Sequence, residues 1–238
     1  MSIFNDIAGV LRDATSLFLP RTCLACGKVL LENEGSICLT CRYNMPLTNF
    51  SSRRDNPMKL LFENILPIEA ATAMFWFVGG TEWQRIIHNF KYYGRWLFAQ
   101  KMGEWLGEEL RDSGNFEGVN LIIPIPLHYR RRLKRGYNQS EQLALGVGRK
   151  MGVKCDFRSV RRSQYNDSQT SKSRSERWEN VEDIFSVLHP EEFDGKHILL
   201  VDDVITSGAT IGSAADAILS QVPGAKVSIC SFATAIYN

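Results

Sequence analysis

The chain has 238 residues and a net charge of +2 at neutral pH, with 44% hydrophobic and 23% charged residues. This is the composition of an ordinary globular protein, and it excludes an intrinsically disordered chain. Every apolar run falls short of the roughly 18 residues that a membrane-spanning helix needs, so no transmembrane helix is predicted. The length allows one large domain, or one domain with a small additional module.

The first predicted element is an amphipathic helix over residues 3–18, where apolar residues recur at helical spacing. Asp6, Arg12 and Asp13 interrupt the apolar run. The segment therefore lacks the core of a signal peptide, and we expect a cytoplasmic protein. A helix on a membrane surface is the alternative, but the polar face carries few cations. We interpret the segment as a docking helix.

Four of the six cysteines form two pairs. Two residues separate the cysteines within each pair, and eleven residues separate the pairs. The four are Cys23, Cys26, Cys38 and Cys41. This spacing is typical of a structural zinc site with all four ligand positions filled, and Gly27 allows the tight turn after the first pair. Two disulfides are the alternative, which a cytoplasmic location disfavours.

Residues 60–238 are predicted to form one α/β domain. The polar stretch 48–57 indicates a linker between this domain and a zinc module over residues 1–48. Residue patterns predict a strand or hairpin at 68–78, strands at 121–125, 157–161, 197–202 and 226–233, and helices at 81–91, 95–111, 138–150 and 209–221. Because helices connect the later strands, we expect a parallel sheet with helices on both faces and ligands beyond the strand carboxyl ends.

Positive charge is concentrated between residues 130 and 177, with 14 Lys and Arg against four acids. The remainder of the chain is net negative. A solvated face is the ordinary explanation of a charge run. Segregation this marked nevertheless favours a polyanionic partner, such as pyrophosphate, phosphoribosyl pyrophosphate or nucleic acid.

The densest positive segment follows the predicted strand 121–125 and precedes a helix that Asn138 is suited to cap. Its cations can face pyrophosphate or a nucleic-acid backbone. They are Arg130, Arg131, Arg132, Lys134 and Arg135. Tyr129 and Tyr137 flank them and are able to stack on unpaired bases. His128 fits a polar loop histidine better than a catalytic one.

Two adjacent acids, Asp202 and Asp203, end an apolar strand and lead into a loop rich in hydroxyl groups and glycine. The loop residues are Thr206, Ser207, Gly208, Ala209 and Thr210. Neighbouring carboxylates can accept hydrogen bonds from ribose hydroxyls and help position Mg2+. Amides of the loop and the following helix can bind a 5-phosphate. An ordinary strand–turn–helix is the alternative.

This order of acid pair and loop resembles the signature of type I phosphoribosyltransferases, which implies their fold and a site for phosphoribosyl pyrophosphate with Mg2+. The polar residues 163–176 resemble the mobile lid that such enzymes close over substrate. Lys172 and Arg174 would then stabilise leaving pyrophosphate, or contact DNA phosphates while Tyr165 stacks on a base. A solvated loop without a ligand is the alternative.

Further motifs lie in series between the zinc module and the phosphate loop. They are Lys91-Tyr92-Tyr93-Gly94, the Pro124–Gln139 segment with its Arg-Gly-Tyr-Asn-Gln end, and Arg177 with Asn180, Val181 and Phe185. Together they resemble the ComF family of competence proteins over nearly the whole chain. The resemblance implies a role in natural transformation, handling incoming single-stranded DNA beside the DNA-uptake machinery on the cytoplasmic side of the inner membrane.

One departure concerns Thr206, which stands where hypoxanthine-guanine salvage enzymes place a catalytic Asp. No general base or nucleobase is therefore assigned, and the loop is more similar to the orotate type. Two hypotheses follow: a DNA-uptake factor that keeps the phosphoribosyl pocket for ligand binding, and a working phosphoribosyltransferase of nucleotide salvage or synthesis. The basic excess and the zinc module, which catalysis does not need, favour the first.

Overall fold

The structure is a computed structural model that describes residues 20–80, 83–84, 86, 96–162 and 184–235. The predicted helix 3–18, most of the predicted helix 81–91 and the polar segment 163–176 lie outside these residues. The motifs at 91–94 and 177–181 also lie outside them. No helix within the described ranges is long and apolar enough to cross a bilayer.

The chain divides into two compact units, residues 1–45 with 78–89, and residues 46–77 with 90–238. In the first unit, an antiparallel bridge between Thr22 and Val29 closes a turn. Gly27 lies in this turn at a φ of 79°, a left-handed conformation that glycine adopts without a steric penalty. Helix α1 (Leu39–Tyr43) follows and begins immediately after Cys38.

The second unit is an α/β domain. Its elements in chain order are α2 (Pro57–Leu60), β1 (Ile68–Trp76), α3 (Trp96–Ser113), β2 (Leu121–Pro124), α4 (Tyr129–Arg135), α5 (Gln139–Met151), β3 (Val160–Arg162), β4 (Phe185–Val187), β5 (His197–Ile205), α6 (Ala209–Gln221) and β6 (Lys226–Thr234). The main sheet has the order β1–β6–β5–β2, and all its strand pairs are parallel. The predicted parallel sheet is confirmed.

Helices cover both faces of this sheet, as predicted. Ile211 and Ile218 of α6 are buried in the same cluster as Ile123 of β2. Since successive strand residues point to opposite faces, Ile122 faces the other way. Its Cδ1 lies 3.7 Å from the place that a Cβ on Gly148 of α5 would occupy.

Glycine lets α3 and α5 pack with their backbones in close contact. A Cβ on Gly103 would lie 2.1 Å from the carbonyl oxygen of Leu143, and one on Gly146 would lie 2.1 Å from the carbonyl oxygen of Gln100. Carbon needs about 3.5 Å or more to a non-bonded neighbour. Neither position therefore accepts a side chain unless the helices separate.

The predicted strand at 157–161 does not extend the main sheet. Its last residues belong to β3, which pairs antiparallel with β4 in a separate two-stranded sheet. The chain meets the main sheet slightly earlier, where Cys155 bridges to Ile122 of β2. It then turns away because the Asp156 carboxylate accepts hydrogen bonds from the amides of Arg158 and Ser159, at 2.8 and 3.2 Å.

The predicted linker at 48–57 is wrong in one respect, because this stretch is packed into the second unit. Phe50 and Asn56 are each only 3% exposed. The Asn56 side chain accepts hydrogen bonds from the amides of Met58 and Lys59 at the start of α2, and donates one to the carbonyl of Ala71 in β1. A polar sequence here indicates a helix cap, not a free connection.

Candidate ligand-binding site and metal centre

The acid pair lies near the carboxyl end of β5, in the middle of the main sheet, where both side chains are half-buried. The Asp202 carboxylate accepts hydrogen bonds from Ser140 Oγ at 2.9 Å and from the Asp203 amide at 2.8 Å. The Asp203 carboxylate accepts one from the Val204 amide at 2.7 Å. These bonds fix the orientation of both carboxylates.

The predicted phosphate loop connects β5 to α6. Gly208 immediately precedes the helix at a φ of 79° and has no side chain to cap it. A Cβ there would meet the Leu61 side chain at 2.6 Å and the Phe62 ring at 3.1 Å. The first turn of α6, with Ala209 and Thr210, has amides without intrahelical acceptors, which is the geometry that binds phosphate.

The predicted basic loop contains a helix. Its cations lie on α4, whose N-cap is His128 and whose C-cap is Gly136 at a φ of 80°. His128 Nδ1 accepts a hydrogen bond from the Arg130 amide at 3.4 Å. This capping role supports the structural interpretation of His128.

Several cations of α4 form hydrogen bonds or ion pairs with nearby side chains. Arg132 forms an ion pair with Glu141 at 3.2 Å, and Arg135 donates to the Gln139 side chain at 3.1 Å. Arg130 donates to the Tyr129 hydroxyl at 3.1 Å. Tyr129 is 59% exposed. Its ring has the Arg130 guanidinium carbon 5.9 Å from its centroid and the centroid of the His128 ring at 4.5 Å.

Hydrogen bonds bring the basic segment to the acid pair. The Ile125 amide, just after β2, donates to the carbonyl of Val201 at 2.8 Å. Asn138 donates from its side chain to the Ile125 carbonyl at 3.0 Å and accepts from the Ser140 amide at 3.1 Å, so it caps α5. This places Ser140 against Asp202, and the predicted cap is confirmed.

The pKa shifts of Tyr137 and His128 also indicate that the basic segment lies close to the acid pair. Burial raises the pKa of Tyr137, Asp203 raises it further, and Arg135 opposes both. Tyr137 is therefore close to both an acid of the strand and a cation of α4. Burial also lowers the pKa of His128, and the charges of Arg130, Arg162 and Arg131 act in the same direction. The site is a mixed cluster with one acid pair and several cations.

Two predicted site residues, Lys172 and Arg174, lie outside the described residues, as does Tyr165. The side chain of Lys134 is likewise not described. Two residues were missed by the sequence interpretation. Ser140 lies two residues after the predicted cap Asn138, in the first turn of the helix, and this position is a signal that could have found it. Arg162 lies just after the predicted strand 157–161, and no motif distinguished it.

The four predicted ligand cysteines cluster in the first unit. The sulfur atoms of Cys23, Cys26, Cys38 and Cys41 all lie within 4.8 Å of one another. None of these four described cysteines forms a disulfide, and the Cys26 and Cys38 sulfurs are 3.8 Å apart. A tetrahedral ion about 2.3 Å from each sulfur requires sulfur separations of about 3.8 Å. The cluster therefore fits a metal ion better than it fits disulfides.

Neighbouring amides prepare the cluster for a cation. Burial alone would raise the pKa of Cys23, but hydrogen bonds from the amides of Cys26, Cys38 and Ala25 lower it to about 7. Outside the cluster, the Glu34 carboxylate accepts hydrogen bonds from the amides of Leu31 and Leu39, both at 2.8 Å. These bonds connect the segment between the two cysteine pairs to the start of α1.

Residues 133–236 match the phosphoribosyl transferase domain family. The matched range contains the acid pair, the predicted phosphate loop and α6, and the parallel sheet is consistent with it. The second unit thus carries a domain of the phosphoribosyltransferase class.

The chain also resembles named proteins. It is 30% identical to competence protein F of Haemophilus influenzae, over 53% of this chain and 57% of that protein. It is 31% identical to the DNA utilization protein YhgH of Escherichia coli O6:H1, over 56% of this chain and 60% of that protein. It therefore spans less than two thirds of the length of these relatives. The allosteric regulatory enzyme of purine biosynthesis is similar in structure, with 16% identity and a TM-score of 0.39, over 60% of this chain and 30% of that one.

These relatives confirm the resemblance to the ComF competence proteins that the sequence motifs indicated. The chain is thus similar to competence protein F, and it carries a phosphoribosyl transferase domain together with a four-cysteine cluster.

Proposed function

We propose that this protein is a DNA-uptake factor of the ComF type, which binds single-stranded DNA and a phosphoribosyl or other phosphorylated ligand. The observation that carries the proposal is the meeting of an acid pair, a phosphate loop and a cationic helix at the carboxyl end of one parallel sheet. The names of the relatives, competence protein F and DNA utilization protein, support it. We further propose that it acts in the cytoplasm, beside the DNA-uptake machinery of the inner membrane.

The ligand half of the proposal assigns a role to each part of the pocket. Asp202 and Asp203 would accept hydrogen bonds from ribose hydroxyls and hold Mg2+, for which carboxylate oxygens are suitable ligands. Residues 206–210 would hold the 5-phosphate through backbone amides and the α6 dipole. Bound Mg2+ would neutralise part of the charge of a pyrophosphate group. The Ser140 hydrogen bond would keep Asp202 oriented before the ligand arrives.

The DNA half of the proposal rests on α4. Arg130, Arg131, Arg132, Lys134 and Arg135 occupy two turns of helix and would neutralise phosphates of a single strand. Tyr129, exposed beside Arg130, would stack on an unpaired base. Arg132 already has a partner in Glu141, so it would contribute less than its neighbours.

The four-cysteine cluster would hold a structural zinc ion. All four positions of a tetrahedron are filled by cysteine, which leaves no open position for substrate. The described part of the first unit has short elements and a small apolar interior, so a metal would stabilise its fold. We assign the ion no role in chemistry.

A working phosphoribosyltransferase is the second candidate. The intact acid pair and the glycine at the start of α6 favour it, because both are needed to hold phosphoribosyl pyrophosphate. Thr206 argues against an enzyme that acts on purines, because its side chain cannot serve as a general base.

Thermal shift of the purified, zinc-loaded protein tests the proposal. A ligand that binds only the folded state at 100 times its Kd adds about 2.7 kcal/mol to the free energy of unfolding. We expect stabilisation by phosphoribosyl pyrophosphate with Mg2+ and, separately, by a single-stranded oligonucleotide. Stabilisation by neither would refute the proposal. Release of pyrophosphate in the presence of a nucleobase would instead favour the second candidate.

A further inference from the structure

Trp96 is the first residue of α3, and it is 47% exposed. Its place in the fold follows from the packing of α3 against α5. A Cβ on Gly103 would lie against the carbonyl oxygen of Leu143, and one on Gly107 would lie against that of Val147. One turn forward in α3 therefore corresponds to one turn forward in α5, so the two helices run in the same direction.

The same register places Trp96 beside the end of α4. Gln100, one turn after Trp96, donates a hydrogen bond from Nε2 to Oε1 of Gln142 in α5, at 2.7 Å. One turn earlier in both helices, Trp96 lies at the level of Gln139, the first residue of α5. Gln139 accepts a hydrogen bond from Arg135, the last residue of α4, at 3.1 Å. Trp96 is therefore close in the fold to the end of the cationic helix.

Two more exposed apolar side chains lie on α4 itself. Tyr129 and Leu133 are four residues apart, so they share one face of the helix. Leu133 is 80% exposed. The seven residues of α4 span about 10 Å, with Tyr129 at the start of the helix and Trp96 beside its end. We call Tyr129, Leu133 and Trp96 the apolar strip.

The charges beside the apolar strip restrict the ligands that suit it. Helix α4 contains five Lys and Arg residues and no acid. Exposed apolar side chains that occur singly are normal on a protein surface, but three along one helix among cations suit a ligand that is both apolar and anionic. A single strand of DNA has this chemistry, because each nucleotide carries a phosphate and a base. Aromatic rings stand at both ends of the strip, and they are the side chains that stack on bases.

We propose that the apolar strip binds the bases of single-stranded DNA, with Trp96 stacking on a base near the end of α4. The inference rests on the proposed function and names the part of the DNA that this surface contacts. The cations of α4 would bind phosphates of the same nucleotides, whereas Trp96 and Leu133 would contact the bases. Binding would tolerate any sequence, since every base has a face on which a ring can stack.

Fluorescence anisotropy with two labelled oligonucleotides of equal length tests the inference. One is an ordinary single strand, and the other is abasic, so it has the same phosphates without bases. We expect Trp96→Ala to weaken binding of the ordinary strand about fivefold to a hundredfold, the effect of losing one stacked base. Binding of the abasic strand should change by less than about twofold. Trp96→Phe keeps an aromatic ring and should retain most of the affinity.

Salt dependence and a matched control separate stacking from charge. Stacking releases no counterions, so Trp96→Ala should leave the slope of log affinity against log salt unchanged. Phe157→Ala is the control, because Phe157 is an aromatic residue of similar exposure, 43%, that lies between α5 and β3. This variant should bind both strands like the natural protein. Leu133→Ala should weaken binding of the ordinary strand at least about twofold, and it leaves the core intact because Leu133 is exposed.

The outcomes separate the inference from the proposed function. If the natural protein binds neither strand, the proposed DNA role fails and the inference with it. If it binds both strands equally, contact with phosphates stands and the inference alone fails. Should Trp96→Ala fail to fold, Leu133→Ala decides, and natural affinity for the ordinary strand in that variant overturns the inference. Equal weakening by Phe157→Ala also overturns it, as does unchanged DNA affinity in both strip variants, which is expected of a surface that binds an acidic protein instead.

Discussion

The ion pair between Arg132 and Glu141 allows the DNA role of α4 to be tested by a gain of affinity. Glu141 lies in the first turn of α5, and its carboxylate is 3.2 Å from the Arg132 guanidinium. In Glu141→Gln the partner is lost and Arg132 becomes available to phosphate. We expect single-stranded DNA to bind more tightly at low salt, because one more cation faces the backbone.

The magnitude follows from counterion release. For single strands, each neutralised phosphate contributes about −0.7 to the slope of log affinity against log salt. Contact by four cations of α4 gives a slope of roughly −3, and releasing Arg132 should steepen it by about 0.7. Arg131→Ala, in contrast, should make the slope shallower by about 0.7. Arg132→Ala should have a larger effect in the Glu141→Gln background than in the natural protein.

Fluorescence anisotropy of a labelled oligonucleotide across a salt series measures these slopes. Glu117→Gln is the control, because it removes one exposed acid from the turn before β2 and changes the net charge identically. Loss of an acid at the start of α5 should lower stability by about 0.3–1 kcal/mol, which a melting curve verifies. Equal slopes for the Glu141→Gln and Glu117→Gln variants would refute direct contact between α4 and DNA.

Three further predictions concern the metal, the acid pair and the phosphate loop. Elemental analysis should find about one zinc per chain, and Cys41→Ser should lose the ion and unfold the first unit; disulfides or no metal would contradict this. Asp202→Asn with Asp203→Asn should abolish binding of phosphoribosyl pyrophosphate with Mg2+ in calorimetry while the melting temperature stays near its natural value. Gly208→Ala should lower the free energy of unfolding by about 1–3 kcal/mol through its positive φ and its contact with Leu61; an unchanged denaturation midpoint would argue against strain.

Long elements with a clear pattern were predictable from the sequence. Helix α6 and strand β6 lie almost where the apolar periodicity placed them, and Asn138 caps α5 as expected. Their local residue preferences and their tertiary contacts favour the same conformation, so short-range reasoning is sufficient.

Short elements and long-range pairs were not predictable in this way. Helix α4 has only seven residues, and Leu133 is the one that is neither polar nor charged. No apolar face therefore indicates a helix in the sequence. The contact between Ser140 and Asp202 joins residues 62 positions apart. The contact of the Arg162 guanidinium with the Phe185 ring depends on β4, a strand of three residues. The sequence shows the charge and polarity of these residues, but it does not show which residues they contact in the folded protein.

The glycine contacts between α3 and α5 make the position of Asp202 depend on the fit of two helices. A methyl group on Gly103 or Gly146 would force the helices apart, and α5 carries Ser140 at its first turn. A mutational scan that measures only ligand affinity would therefore find affinity-reducing substitutions at this helix contact as well as in the pocket. The tolerance of the pocket to mutation therefore depends partly on a backbone contact between two helices, which contains no ligand-binding side chain.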